Sequence, residues 1–195
     1  RPPRPPAPNP VPVPPLFRSG EAGRFVFLVL APTNLVSGVS GTQVYVHDRQ
    51  TGQTTLVSKD NNLTPIPGND SSSTPTINSD GQFVAFASLS TNLDAAGGNR
   101  QIYVHDRLNG PNGTTSLVSK DSAGTAGNGN SSVPSISGDG RYVAFVSGAT
   151  NIVAGFSGQQ VYIHDRNTGA NGTNSLISRD NSGTPNAGNQ NSNIP

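Results

Sequence analysis

Val44-Tyr45-Val46-His47-Asp48-Arg49 is written again as Ile102-Tyr103-Val104-His105-Asp106-Arg107 and a third time as Val161-Tyr162-Ile163-His164-Asp165-Arg166, at intervals of 58 and 59 residues. Two further markers recur around it in the same order. Thr33-Asn34-Leu35 returns as Thr91-Asn92-Leu93 and Thr150-Asn151-Ile152. Leu56-Val57-Ser58-Lys59-Asp60 returns as Leu117-Val118-Ser119-Lys120-Asp121 and Leu176-Ile177-Ser178-Arg179-Asp180. Self-similarity at a fixed period marks a repeat architecture in which each copy is one supersecondary unit.

The units are built of strands. In the motif, Val44 and Val46 point one way and Tyr45, His47 and Arg49 the other, which is the two-residue period of a strand. Gln82-Phe83-Val84-Ala85-Phe86-Ala87 and Arg141-Tyr142-Val143-Ala144-Phe145-Val146 are apolar on both faces, the mark of burial from both sides. Asn109-Gly110-Pro111-Asn112-Gly113 and Asn167-Thr168-Gly169-Ala170-Asn171-Gly172 follow the motif as hairpin signals, because Asn and Gly accept positive φ. The Leu-Val-Ser strand comes next, then a polar loop, then Ser73-Thr74-Pro75-Thr76-Ile77 or Ser132-Val133-Pro134-Ser135-Ile136. Asp80-Gly81 and Asp139-Gly140 then turn the chain into the next apolar strand. Each unit thus reads as four short antiparallel strands without a helix signal. At this length that is a β-propeller blade. The predicted repeats are 16–77, 78–136 and 137–195. Residues 1–15 hold nine prolines and read as an extended polyproline arm or linker.

Composition agrees. Apolar residues make up 31% and charged residues 12%, too little for one large core and too little charge for typical disorder. Glu21 is the single glutamate against ten aspartates, which disfavours a helix-rich fold. A net charge of +1 without a basic cluster speaks against nucleic acid, which requires phosphates to be neutralised. Cysteine is absent, excluding disulfides, thiolate metal sites and cysteine nucleophiles and fitting an exported bacterial protein. The longest apolar run, Phe25 to Ala31, is far short of the roughly 20 residues that span a bilayer, so no membrane insertion is expected. No signal peptide begins the chain, so any export signal is expected to have been removed or left out.

The run from Ser131 to Phe145, with Pro134-Ser135-Ile136, Asp139-Gly140-Arg141 and Tyr142-Val143-Ala144-Phe145, followed by Val161-Tyr162-Ile163-His164-Asp165-Arg166, resembles the WD-like β-propeller repeat of the TolB type. The resemblance covers about residues 16 to 195. It implies a bacterial propeller, commonly six-bladed and commonly exported, that serves protein contacts, and it implies no activity. The likeness is to the propeller alone, with no α/β domain expected ahead of it. Relatives often carry an Asp/Asn-rich segment before the Tyr motif. Here those segments read Ser37-Gly38-Val39-Ser40-Gly41, Ala95-Ala96-Gly97-Gly98-Asn99 and Ala154-Gly155-Phe156-Ser157-Gly158, which are poor cation ligands.

The repeated polar residues are the candidate site. His47, His105 and His164 could ring a channel, but a whole blade width separates equivalent positions, whereas zinc ligands lie about 2 Å from one ion. They are expected to be strand residues hydrogen-bonded between blades. Asp48, Asp106, Asp165, Asp80 and Asp139 are read as turn and strand-end groups, because a catalytic carboxylate stands at one special place. The Asp48-Arg49, Asp106-Arg107 and Asp165-Arg166 pairs are expected to tie strand ends to a neighbouring loop. Loops opening at Asp60-Asn61-Asn62, Asp121-Ser122-Ala123-Gly124 and Asp180-Asn181-Ser182-Gly183 offer oxygens to calcium, but lack the second carboxylates of an EF-hand. No Gly-x-Ser-x-Gly, phosphate-binding loop or His-Glu-x-x-His is present, and one glutamate cannot form a glycosidase pair. No catalytic residue, metal or cofactor is expected.

Three blades cannot close a ring, which takes at least about four. Alone they would leave sheet edges and apolar faces bare. Asn191-Ser192-Asn193-Ile194-Pro195 matches Ser71-Ser72-Ser73-Thr74-Pro75 and so begins another strand. Either two chains join head to tail as six blades, the C-terminal strand of one completing the first blade of the other, or further copies continue the array. The function expected is a non-catalytic scaffold for protein binding or self-assembly, periplasmic, cell-surface or secreted. The alternative is a glycan-binding propeller, with or without calcium, that uses Tyr45, Tyr103 and Tyr162 with the Asn/Asp/Gly loops.

Overall fold

The computed structural model describes residues 23–30, 41–94 and 98–179. The proline arm, the Thr33-Asn34-Leu35 marker, the segments at 37–40 and 95–97, the loop from Asp180 and the strand match at 191–195 lie outside the described residues. Within them are eleven strands: β1 Phe25–Leu30, β2 Gln43–Asp48, β3 Gln53–Leu56, β4 Ser72–Ile77, β5 Phe83–Ser88, β6 Gln101–Asp106, β7 Thr114–Leu117, β8 Ser131–Ile136, β9 Tyr142–Ser147, β10 Gln160–Asp165 and β11 Thr173–Leu176. They form three antiparallel sheets, ordered β1-β2-β3, β4-β5-β6-β7 and β8-β9-β10-β11. No α-helix occurs among the described residues.

Sheet and sequence repeat are out of step by one strand. The repeats read from the sequence end with Ser-x-x-Pro-x-Ile, yet Ser72–Ile77 pairs with Phe83–Ser88 of the following unit. The short Asp80-Gly81 turn joins those two strands, and Asp80 Oδ1 accepts from the Gln82 amide at 2.8 Å. A long loop, by contrast, separates Leu56 from Ser72. The first sheet accordingly shows three strands among the described residues, where four per unit were expected. Pro75 and Pro134 fall on the edge strands β4 and β8, where a missing amide is tolerated. The register shifts there, between Ser73 and Thr76 and between Ser132 and Ser135, with Thr74 and Val133 at positive φ.

Alternation along each strand glues sheet to sheet. Val84, Phe86, Tyr103 and Leu117 pack with Phe25, Phe27, Val44 and Val46 of the first sheet. The residues between them, Ala85, Ala87, Ile102 and Val104, pack with Val143, Phe145, Tyr162 and Leu176 of the third. The middle sheet is therefore a filling with apolar residues on both faces, which is why its strands carry continuous apolar runs. Phe86 and Phe145 stack on Tyr103 and Tyr162 with centroids 5.8 and 5.7 Å apart.

Candidate functional site

The motif residues gather at the junctions between sheets. Each aspartate ends its strand and accepts the amide two residues on: Gln50 at 2.9 Å for Asp48, Leu108 at 3.1 Å for Asp106, Asn167 at 3.0 Å for Asp165. Its other partner is the residue just ahead of the neighbouring strand of the same sheet. Arg24 donates to Asp48 through Nε at 3.0 Å and Nη2 at 2.8 Å, and Arg141 does so to Asp165 at 2.9 and 2.7 Å. Gln82 takes this place beside Asp106 at 2.9 Å. The hydrogen-bonded guanidinium holds Asp48 well below the usual carboxylate range and lowers Asp165 as well. Asp139 serves its turn, accepting from Arg141 N at 3.0 Å and Ser137 Oγ at 2.5 Å.

The arginines next in sequence do not pair with these aspartates. Arg107 donates to Gly81 O and Arg166 to Gly140 O, both at 2.6 Å. Each lays its guanidinium over an aromatic ring of the preceding sheet, Arg107 over Phe25 at 4.7 Å and Arg166 over Phe83 at 4.0 Å. Gly81 and Gly140 press on those same rings with positive φ, so a Cβ at either place would run into the Phe side chain. Aspartate and arginine thus tie the strand end to the neighbouring turn, but separately. Arg49 donates to Gly23 O at 3.2 Å, is exposed, and has no ring beneath it among the described residues.

His47 and His105 bond within their own sheet, which corrects the expectation of a bond between blades. His105 Nδ1 lies 3.0 Å from Thr115 Oγ1, its cross-strand partner. That hydroxyl donates to Lys59 O at 2.8 Å, so its oxygen accepts and Nδ1 carries the proton. The bridge to the preceding blade therefore runs through Thr115. Asn61 of that blade pairs with both the amide and the carbonyl of Thr115, at 2.6 and 2.7 Å, and so caps the outer edge strand. In the third sheet Asn174 stands opposite His164 and donates to Val118 O at 3.0 Å and Lys120 O at 2.7 Å. Burial first, then Lys59 and Arg107, push His105 down to about 3; burial and Lys120 push His164 down to about 4. Both are neutral structural groups near pH 7.

The tyrosines and calcium-like loops do not suit the glycan reading. Tyr45, Tyr103 and Tyr162 are at most 1% exposed, so no ring offers a face to a sugar. The strand expected to alternate is buried on both sides in β6, because sheets flank it there, and Tyr45 of β2 is buried although no described sheet lies against its side of the first blade. The loop carboxylates already hold their own loops. Asp60 accepts from the amides of Asn62 and Ile66 at 3.3 and 3.0 Å, and Asp121 from Ala123 and Thr125 at 2.9 and 2.8 Å. Among the described residues no three His, Asp or Glu come together as a metal-binding group. A notch of about 130 Å³ between the second and third sheets, lined by Lys120, His164, Arg166 and Gly172 among others, is well below the several hundred Å³ of a typical small-molecule site.

One repeated device went unread in the sequence. Gln43, Gln101 and Gln160 open the motif strand and are fully buried. Each accepts from the serine of the Leu-Val-Ser marker, Ser58 at 2.6 Å, Ser119 at 2.5 Å and Ser178 at 2.6 Å. That serine in turn accepts an amide of the motif strand, at 2.9 to 3.0 Å. The signal was there: the same polar residue before Val/Ile-Tyr in all three copies. The Thr-Asn marker is likewise a latch, since Thr91 and Asn92 bond reciprocally to Asn69 at 2.8 to 2.9 Å.

Sheets stacked face to face, each locked to the next by the same contacts, define this class as a β-propeller blade array. A solved structure agrees on the fold, which is TolB-like. The chain is similar to the putative TolB of Agrobacterium tumefaciens, with 18% identity and a TM-score of 0.50 over 85% of this chain and 50% of that one. It is also similar to TolB of Acinetobacter baumannii, with 21% identity and a TM-score of 0.47 over 80% of this chain and 30% of that one. The chain thus spans half or less of the length of these structures. No family model matches the sequence, and no curated protein does.

Proposed function

We propose that the chain is a non-catalytic propeller scaffold that works by protein contact, self-association included, through blade faces left uncovered at the two ends of the stack. One observation carries this reading. Val57 and Val118 are 1% and 2% exposed where a following sheet covers them, whereas Ile177, at the same place in the third blade, is 46% exposed. Bare apolar surface that is buried elsewhere in the same molecule marks an interaction face. The repeated polar residues support the reading too, because those described hold turns, strand ends and blade junctions, and no three His, Asp or Glu among them gather as a group.

A bacterial location at the envelope or outside the cell fits the likeness to the TolB-like structure of Agrobacterium tumefaciens and the absence of cysteine. No helix among the described residues is long and apolar enough to cross a membrane. Light scattering coupled to size exclusion tests the reading. The purified chain is expected to run as a multiple of 20.0 kDa, rising with concentration. A stable solitary species of 20.0 kDa at all concentrations contradicts it.

A further inference from the structure

We infer that the leading face of the first blade docks on the trailing face of the third blade of a second copy, with Arg49 laid over the Tyr142 ring. The inference rests on the scaffold reading and names its partner and contacts. It starts from a rung that the chain builds twice. Arg107 and Gly81 close on Phe25, and Arg166 and Gly140 close on Phe83. In each rung the following blade gives the arginine and glycine, and the preceding blade gives the ring.

A stack of three blades leaves one half-rung at each end. At the leading end stand Arg49 and Gly23, the latter at φ 92 like Gly81 at φ 78. Arg49 is exposed, where Arg107 and Arg166 are half-buried. At the trailing end stands Tyr142, in the place of Phe25 and Phe83. Arg141 of its own blade lies over it at 4.7 Å, the distance at which Arg24 lies over Phe25. The second arginine, which Phe25 receives from the next blade, is missing from Tyr142 among the described residues.

The remaining contacts divide the same way. Thr115 and Asn174 reach carbonyls of the preceding blade, whereas Thr54, their counterpart in the first blade, is exposed. Lys59 and Lys120 supply those carbonyls, and Arg179 holds that position, exposed, in the third blade. Val26, Leu28 and Leu56 are half-buried at the leading end, against full burial of Val84, Phe86 and Leu117. Tyr45, Val146 and Val161 are buried at the end faces, but at the rung and the strand edges each end face shows one half of an interface the molecule already makes twice. The surface complementary to both at once is another copy. Such a contact is head to tail, closing as a ring or extending as a filament.

Complementation of the full chain tests it. Arg49→Glu spoils only the leading face, and Ile177→Asp or Tyr142→Ala only the trailing one. Each variant alone is expected to weaken self-association at least ~tenfold by sedimentation velocity, with an unchanged circular dichroism spectrum. An equimolar mixture of Arg49→Glu with Ile177→Asp retains one intact pair of faces and is expected to recover a species of twice 20.0 kDa. If the wild type assembles and the variants do so equally well, the docking is wrong and the scaffold reading survives. If the variants are monomeric and their mixture stays so, the head-to-tail geometry is wrong. If the wild type is monomeric throughout, the scaffold reading fails with it.

Discussion

Arg107 and Arg49 occupy the same place in consecutive repeats, yet one is half-buried over a Phe ring and the other stands in solvent. Val118 and Ile177 differ in the same way at the opposite face, at 2% and 46% exposure. Local sequence is nearly constant across each pair, so the difference comes from what lies against it. An inner junction and an end face are one surface in two states, covered and bare. On the proposed reading, the binding surface of such a stack is already written into its interior, and the end faces need no separate design.

The comparison is broken hardest by emptying an inner junction. Phe86 is fully buried between the first and second sheets and stacks on Tyr103. Phe86→Ala is expected to cost about 3–5 kcal/mol in urea unfolding, whereas Leu28→Ala, at the equivalent place on the half-buried leading face, should cost much less.

Acid attacks the inner junctions next. His105 and His164 have folded values depressed to about 3 and about 4, so the unfolded chain binds their protons first. Stability from these groups is complete above the unfolded value of about 6.5 and declines as pH falls toward 4, by up to about 1.4 kcal/mol per pH unit per histidine. Urea midpoints measured across that window check the slope, and His105→Gln should flatten it.

A smaller contrast separates the two arginines. Arg107→Ala removes a stacked guanidinium and its bond to Gly81 O, an expected loss of about 2 kcal/mol. Arg49→Ala in the dissociated chain should fall within about 0.5 kcal/mol of the parent by thermal melting. The finest test sets Val118→Ala against Ile177→Ala. The smaller side chain should cost more, about 1–2 kcal/mol against less than about 1, because only Val118 leaves a cavity.

Much of the fold was legible because the markers repeat and each carries its own period and turn chemistry. Phe83-Val84-Ala85-Phe86 read as a strand buried on both faces, and it is one. The phase of the blade was not legible. A periodic string looks the same wherever it is cut, and only the pairing of Ser72–Ile77 with Phe83–Ser88 sets the boundary. The site was less visible. His105 was read as bridging blades when its neighbour Thr115 does so, because register decides which of two adjacent groups meets the next sheet. The rung of Arg107 on Phe25 joins residues more than a whole repeat apart, and no local pattern announces it. The role of Gln101 is not legible locally, since a polar residue in an apolar strand reads as solvent-facing and its serine partner lies across the hairpin.

The native chain has no cysteine, so one introduced thiol reports the burial of a single place. Maleimide labelling of Ile177→Cys and Val118→Cys, each followed from dilute to concentrated protein, addresses the end face against the interior directly. Cys at 177 should react fast when dilute and become protected as concentration rises, while Cys at 118 stays unreactive throughout. Equal reactivity of Cys at 177 at every concentration, or ready labelling at 118, would contradict a stack whose bare ends repeat its own covered junctions.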